Sequence, residues 1–300
     1  MIVVTWGAVS DTGRVRARNE DSLLAQSPVF VIADGMGGYR GGATASRIAV
    51  DTFRQVLDQP ALHAADIPEQ LQAANAAIRR QATLEPASSA MGTTAVGLAL
   101  LHEAGAEYWL AFNVGDSRVY RLHHGVLTQI SVDHSYVQEL VLAGFIEPDE
   151  ARRHPERSII TRALGTSDGA EPDFWVFPAE PGERFLLCSD GLSGELDDAT
   201  ILELLDVPGD PQETAELLVR RANEAGGRDN ISVIVVDVAG TSCPELDVPT
   251  ADRPRATSSE PASDPASDPA VDPVVGPAPE VIVGEHRRAE RHATSCGSSL

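Results

Sequence analysis

The sequence predicts an α+β domain in which helices cover the outer faces of packed, mostly antiparallel sheets. Two observations carry this reading. Strand-like and helix-like segments fall in separate blocks instead of alternating, which argues against a doubly wound parallel sheet. Several strand-like runs also follow one another at hairpin spacing, as do 117–122 and 126–130 around His124-Gly125.

Apolar alternation, strong at 108–114 and 117–122, predicts strands there, with further strands expected at 2–9, 28–34, 93–102, 126–130, 173–178, 184–189 and 231–238. Spacings of three and four predict one helix pair at 42–58 and 68–83, the second carrying Leu71, Ala74 and Ile78. A second pair is predicted at 199–206 and 211–225, with Ala215, Leu218 and Val219 facing inward. A further helix follows His134, whose neighbours Asp133 and Ser135 are N-cap types, so His134 reads as loop and cap and not as a catalytic group. Trp6, Trp109 and Trp175 lie in strand patterns and read as core.

Residues 144–172 mix Gly144, Pro148, Pro155, Gly165 and Gly169 with Arg152, Arg153, His154, Arg157 and Arg162, and read as an irregular lid or excursion beside a site. The arginines have two readings: recognition of acidic substrates, or ion pairs with Asp149, Glu150 and Glu156.

Long apolar runs stop near residue 240, so a folded domain is expected at 1–240 and a disordered Pro/Ala/Ser/Asp-rich tail at 241–300. Nine of the 20 prolines fall in that tail, which has too few large apolar side chains to offset its ordering entropy. The net charge of −22 is mostly the domain's, because the tail's ten acids face five arginines. No basic face stands out, which excludes nucleic acid and anionic membrane surfaces as main partners. Lys is absent, which removes Schiff-base chemistry. Cys188 sits in an apolar run as a core residue, and Cys243 and Cys296 suggest no disulfide framework. Without a signal-peptide pattern or a run of about 18–20 apolar residues, a soluble cytoplasmic protein is expected.

Five acids each stand in a local setting that ends an apolar strand in a tight turn: Glu20, Asp34, Asp116, Asp190 and Asp229. Like charges gathered in a low-dielectric cleft raise one another's pKa unless a cation joins them, so this pattern reads as a metal site. Ligands that are all oxygen point to Mg²⁺ or Mn²⁺. The natural substrate for such a site is a phosphate monoester, and Arg16 is placed to hold its non-reacting oxygens.

The runs that carry these residues resemble the metal-dependent protein serine/threonine phosphatases of the PP2C (PPM) type, in their bacterial form. They are Arg16 to Asp21, Ala33-Asp34-Gly35-Met36-Gly37-Gly38, Met91-Gly92-Thr93-Thr94, Gly115-Asp116-Ser117-Arg118, Cys188-Ser189-Asp190-Gly191-Leu192 and Arg228-Asp229-Asn230-Ile231-Ser232. The resemblance spans about residues 5 to 239 and implies a four-layer α-β-β-α sandwich with the metals at one end, between two central antiparallel sheets.

It implies further that Asp34, Asp190 and Asp229 hold one ion, while Asp34, the Gly35 carbonyl and a water-mediated Glu20 hold a second. Asp116 with Asp190 resembles a third, weaker site. Arg16 would grip the substrate phosphate, Asp21 would steady metal-bound waters, Asn230 would support the loop carrying Asp229, and Thr93 and Thr94 would be structural. The implied activity is hydrolysis of phosphoserine and phosphothreonine in proteins by a metal-bridged hydroxide, without a phosphoenzyme, by a monomer opposing a Ser/Thr protein kinase.

Two departures stand out. Met36 and Tyr39 occupy positions where relatives have His, which leaves the general acid open between a metal-bound water and Tyr39. Gly41-Gly42 is read as standing where many members have Gly-Glu.

Overall fold

A computed structural model of the chain describes residues 2–37, 41–59, 61–84, 91–169 and 171–240. Twelve strands are formed among them: β1 Ile2–Asp11, β2 Ser22–Gln26, β3 Val29–Ala33, β4 Gly35–Met36, β5 Gly92–Thr93, β6 Ala95–Glu103, β7 Ala106–Val114, β8 Arg118–His123, β9 Val126–Gln129, β10 Asp173–Pro178, β11 Arg184–Cys188 and β12 Ile231–Gly240. The helices are α1 Gly41–Arg54, α2 Asp66–Leu84, α3 Tyr136–Leu142, α4 Pro148–Ala151, α5 Asp190–Ser193, α6 Asp198–Leu205 and α7 Pro211–Ala225, with a 3-10 turn at Gln55–Asp58.

The strands form two five-stranded antiparallel sheets, ordered β1-β12-β11-β8-β9 and β10-β7-β6-β3-β2, plus the short β4-β5 ladder. Side-chain alternation explains why the two sheets stack. In β12, Ile231, Val233 and Val235 face the layer with α6 and α7, while Ile234, Val236 and Val238 face the other sheet. In β6, Ala95, Ala99 and Leu101 face α1 and α2, while Val96 and Leu98 face inward. Strands buried on both faces need near-continuous apolar runs, which Ile231–Val238 has apart from Ser232 and Asp237 and Ala95–Leu101 has throughout. The result is the expected four-layer α-β-β-α sandwich.

Turn and cap chemistry agrees with the layers. His124-Gly125 and Ala104-Gly105 all have positive φ, as two-residue hairpin turns require, and join His123 to Val126 and Glu103 to Ala106 in register. Asp210 caps α7 by accepting the Gln212 N–H at 2.7 Å, with Pro211 at its first position. The apolar stripe Ala215, Leu218, Val219 and Ala222 then lies on the sheet. Truncating such a buried leucine to Ala costs about 2–5 kcal/mol.

Two expectations are corrected. β2 is a strand that alternation did not reveal, because Ser22–Gln26 is short and its partner β3 sets its register. Trp6 is 38% exposed: it packs edge-on against Phe30 at 5.6 Å, but β1 is an edge strand and leaves its other side open. Residues 144–169 form the expected irregular excursion beside the site, tied down at several points. It leaves and returns through the Ser135–Ile160 bridge, and residues 164–168 are held by Leu164 pairing with Thr93 and by Asn75. The tail 241–300, Tyr39, Cys243 and Cys296 lie outside the described residues.

Candidate metal and phosphate site

Strand register gathers the acids at one end of the sandwich. In the first sheet Asp11 pairs with Ile231, and Cys188 pairs with both Val233 and Arg118, so Asp229, Asp190 and Asp116 flank neighbouring strand ends. In the second sheet Ala33 pairs with Ser22, which places Asp34 beside the loop that carries Glu20. Between them opens a cleft of about 650 Å³ lined by Arg16, Ala17, Arg18, Glu20, Asp34, Gly35, Met36, Gly37, Ser158, Ile160, Asp190, Asp229 and Asn230. A smaller cavity of about 330 Å³ shares Asp190 and Ser158 with it and contains Asp116.

Backbone hydrogen bonds hold each acid in place. The Asp34 N–H donates to Thr94 Oγ1 at 3.0 Å, and the Asp34 carbonyl accepts from Thr94 N at 2.9 Å and Thr93 Oγ1 at 2.8 Å. Asn230 is a junction: Oδ1 accepts the Glu20 N–H at 2.8 Å, and Nδ2 donates to the carbonyls of Thr12 and Arg18, each at 2.9 Å. It therefore ties down the loop carrying Arg16 and Glu20 as well as the turn of Asp229. Ser46 on α1 adds a 2.6 Å bond to the Glu20 carbonyl. Asp21 lies behind the cleft, accepting from Ser232 Oγ at 2.7 Å.

Position 42 settles one departure. A Cβ on Gly42 would meet the Gly35 carbonyl oxygen at 2.7 Å, so this backbone has no room for a Glu there, and the expected correspondence with Gly-Glu fails. A Cβ on Gly35 would likewise lie 2.3 Å from the Gly42 carbonyl oxygen and 2.5 Å from that of Glu20.

The electrostatics are those of acids packed without enough counter-charge. Burial pushes Asp34 well above the ordinary carboxylate range, and the charges of Asp21, Asp190 and Asp116 add to it. Burial also raises Asp116, with Asp190 next, and raises Asp190, with Asp229 next. Asp21 is pushed up to about 7, first by burial, against the pull of Ser232. Arg16 is the nearest cation, bonded to Asp229 Oδ2 at 2.5 Å.

These residues fit a divalent cation. Oδ1 of Asp116 and Oδ1 of Asp190 are buried with no hydrogen-bond partner among the described residues, and all candidate donors are oxygens. Among the described residues, the three ligand groups that come within 4.8 Å of one another are instead His123, Glu180 and Glu183. That set is already satisfied: Arg121 Nε donates to Glu183 Oε1 at 2.6 Å, and Trp109 Nε1 to Oε2 at 3.1 Å. It is an ion-pair network built around the charge of Arg121.

Other candidates fall away. Cys188 is fully buried and burial pushes its thiol up to about 12, so it is core. His134 is buried and does not line the cleft, and Ser135 caps α3. Arg152 donates to the carbonyls of Ser193 and Leu196 and Arg162 to Asp173, not to the expected Asp149, Glu150 and Glu156. Ser158 and Ile160 were missed: they reach the cleft from the excursion, and no motif marks them.

A sequence profile described as Protein phosphatase 2C matches residues 14–225. The chain is 42% identical over 241 residues to the serine/threonine protein phosphatase PstP of Mycobacterium tuberculosis, covering 79% of this chain and 45% of that one, so it spans under half of that relative's length. It is 36% identical over 239 residues to the serine/threonine phosphatase stp of Listeria innocua, covering 76% of this chain and 93% of that one. A crystal structure of the PstP catalytic domain in complex with two manganese ions superposes with a TM-score of 0.73 at 39% identity, covering 80% of this chain and all of that one. With motifs, layers and profile in agreement over most of its length, the chain belongs to the protein phosphatase 2C family.

Proposed function

We propose that residues 1–240 form a metal-dependent phosphatase that removes phosphate from phosphoserine and phosphothreonine in proteins, opposing a Ser/Thr protein kinase. The observation that carries this reading is the convergence of Asp34, Asp190, Asp229, Glu20 and Arg16 on one open, polar cleft. Asp34, Asp190 and Asp229 would hold one Mn²⁺ or Mg²⁺; Asp34, the Gly35 carbonyl and, through water, Glu20 would hold a second; Asp116 with Asp190 would take a third, weaker one. Bound divalent ions supply a hydroxide nucleophile at neutral pH and offset the charge of the phosphoryl oxygens.

The chain's own residues do the rest. Arg16 turns from Asp229 to the non-reacting phosphate oxygens, where its planar fork matches two of them. Asp21 orients ordered water through its free Oδ1, and Asn230 keeps Arg16, Glu20 and Asp229 at fixed spacing. We take the attack on phosphorus to be direct, without a covalent phosphoenzyme. The acidic domain favours a protein substrate over nucleic acid, and we take the enzyme to act as a cytoplasmic monomer. Among the described residues no helix is long and apolar enough to cross a membrane.

The test is phosphate release from a phosphothreonine peptide with Mn²⁺, with EDTA, and with Asp34→Ala. Mn²⁺-dependent release lost in both controls is expected. Silence from the folded protein would leave a phosphoprotein-binding module, and faster turnover of a sugar phosphate would replace the protein substrate.

A further inference from the structure

Glu195 is a buried carboxylate that the site does not use. Its side chain is 4% exposed, it does not line the cleft, and its side-chain bonds all run to Arg228. Oε1 accepts the Arg228 backbone N–H at 2.9 Å and Nε at 2.8 Å, and Oε2 accepts Nη2 at 2.9 Å. The turn closes tightly on this carboxylate, since a Cβ on Gly226 would lie 2.8 Å from Oε2.

The two ends of this clasp belong to the two segments that present Asp190 and Asp229. Asp190 opens α5, whose end is fixed by Gly194 N donating to the Asp190 carbonyl at 2.7 Å and Glu195 N to that of Leu192 at 3.1 Å. Arg228 directly precedes Asp229. The segments also touch backbone to backbone: a Cβ on Gly191 would lie 1.9 Å from the Asn230 carbonyl oxygen. The pair of segments is thus pinned at two points, through Arg228 and Asn230, the residues on either side of Asp229 in the chain. Arg228 is 64% exposed, so water screens the ion pair and it adds little stability. Its geometry, a fork plus a backbone N–H on one buried carboxylate, instead restricts position.

We infer that Glu195 and Arg228 are positioning residues for a divalent cation, setting the spacing between Asp190 and Asp229. This rests on the metal-binding reading above. Outer partners that orient metal ligands typically change affinity about 10–100-fold when removed.

The test is calorimetric titration of the full chain with Mn²⁺. Glu195→Gln keeps shape and an acceptor but loses the charge, and Arg228→Ala removes the exposed fork. Each is expected to bind Mn²⁺ about tenfold more weakly, with melting in EDTA close to wild type. The double variant should be no weaker than Glu195→Gln alone, because one contact is lost either way. Arg228→Lys, with charge but no fork, should fall between wild type and Arg228→Ala. Affinities within about twofold of wild type in the folded variants, or additive losses in the double variant, overturn the clasp. Asp34→Asn separates the two failures. If wild type takes up Mn²⁺, Asp34→Asn does not and the clasp variants match wild type, only the clasp is wrong; if wild type takes up none, the metal reading falls and the clasp with it.

Discussion

Arg16 Nη2 donates to Asp229 Oδ2 at 2.5 Å, joining residues 213 positions apart across the mouth of the cleft. This bond raises the Arg16 pKa, so the side chain is charged at any working pH. The contact also places it: the guanidinium lies beside a candidate metal ligand in the cleft lining.

Arg16→Ala is therefore expected to reduce kcat/KM for a phosphothreonine peptide. A charge-assisted hydrogen bond contributes about 1.5–3 kcal/mol, or roughly 10- to 150-fold in rate. Mn²⁺ affinity should hold or rise, since Asp229 loses a competing cation. Arg16→Lys should recover little, because an ammonium cannot form the fork. Steady-state kinetics beside a Mn²⁺ titration decides it, and unchanged kcat/KM would remove Arg16 from the substrate site.

Asp34→Asn should have opposite effects with and without metal. Asp34 is buried with Asp21, Asp190 and Asp116 acting on it, so replacing its carboxylate by a neutral amide of the same shape relieves repulsion and desolvation. In EDTA the variant should gain about 1 kcal/mol, which moves the melting midpoint up by roughly 2–4 °C in a domain of this size. With saturating Mn²⁺ the order should invert, because only wild type binds and gains the linkage free energy. A variant that melts below wild type in EDTA would show that Asp34 is compensated by protein contacts alone.

His134 should make stability fall in mild acid. Its Nδ1 accepts the Gly115 N–H at 3.1 Å, which leaves the proton on Nε2 to bond Asp173 at 3.1 Å. A second proton would set two N–H groups against each other. Burial lowers its pKa, and Arg162 adds to the fall against the upward pull of Asp173. A histidine with a depressed folded pKa binds fewer protons when folded than when unfolded. Its contribution is therefore present above the unfolded value, about 6.5, and is lost as pH falls through that value toward the lower folded one. Urea midpoints at pH 7.5 and 5.5 should drop more for wild type than for His134→Asn; equal drops would show that His134 titrates normally.

The local pattern was enough for most elements. Period-2 runs located β7 and β8, apolar runs located β6 and β12, spacings of three and four located α2 and α7, and the order of five acids marked the candidate site. These are properties of a few adjacent residues, and side-chain periodicity is itself local.

What lies across the chain was decided by tertiary structure. Long-range register makes β2 a strand and leaves Trp6 at an open edge. It brings Ser158 and Ile160 to the cleft, makes Asn230 the tie between two loops, and closes Glu195 on Arg228. Each depends on which segments end up adjacent, and adjacency follows from the pairing and packing of whole sheets, information that no window of neighbouring residues contains. Residue types and their local settings mark which side chains could hold a metal and a phosphate, whereas the stacking of two sheets fixes how those side chains are held together.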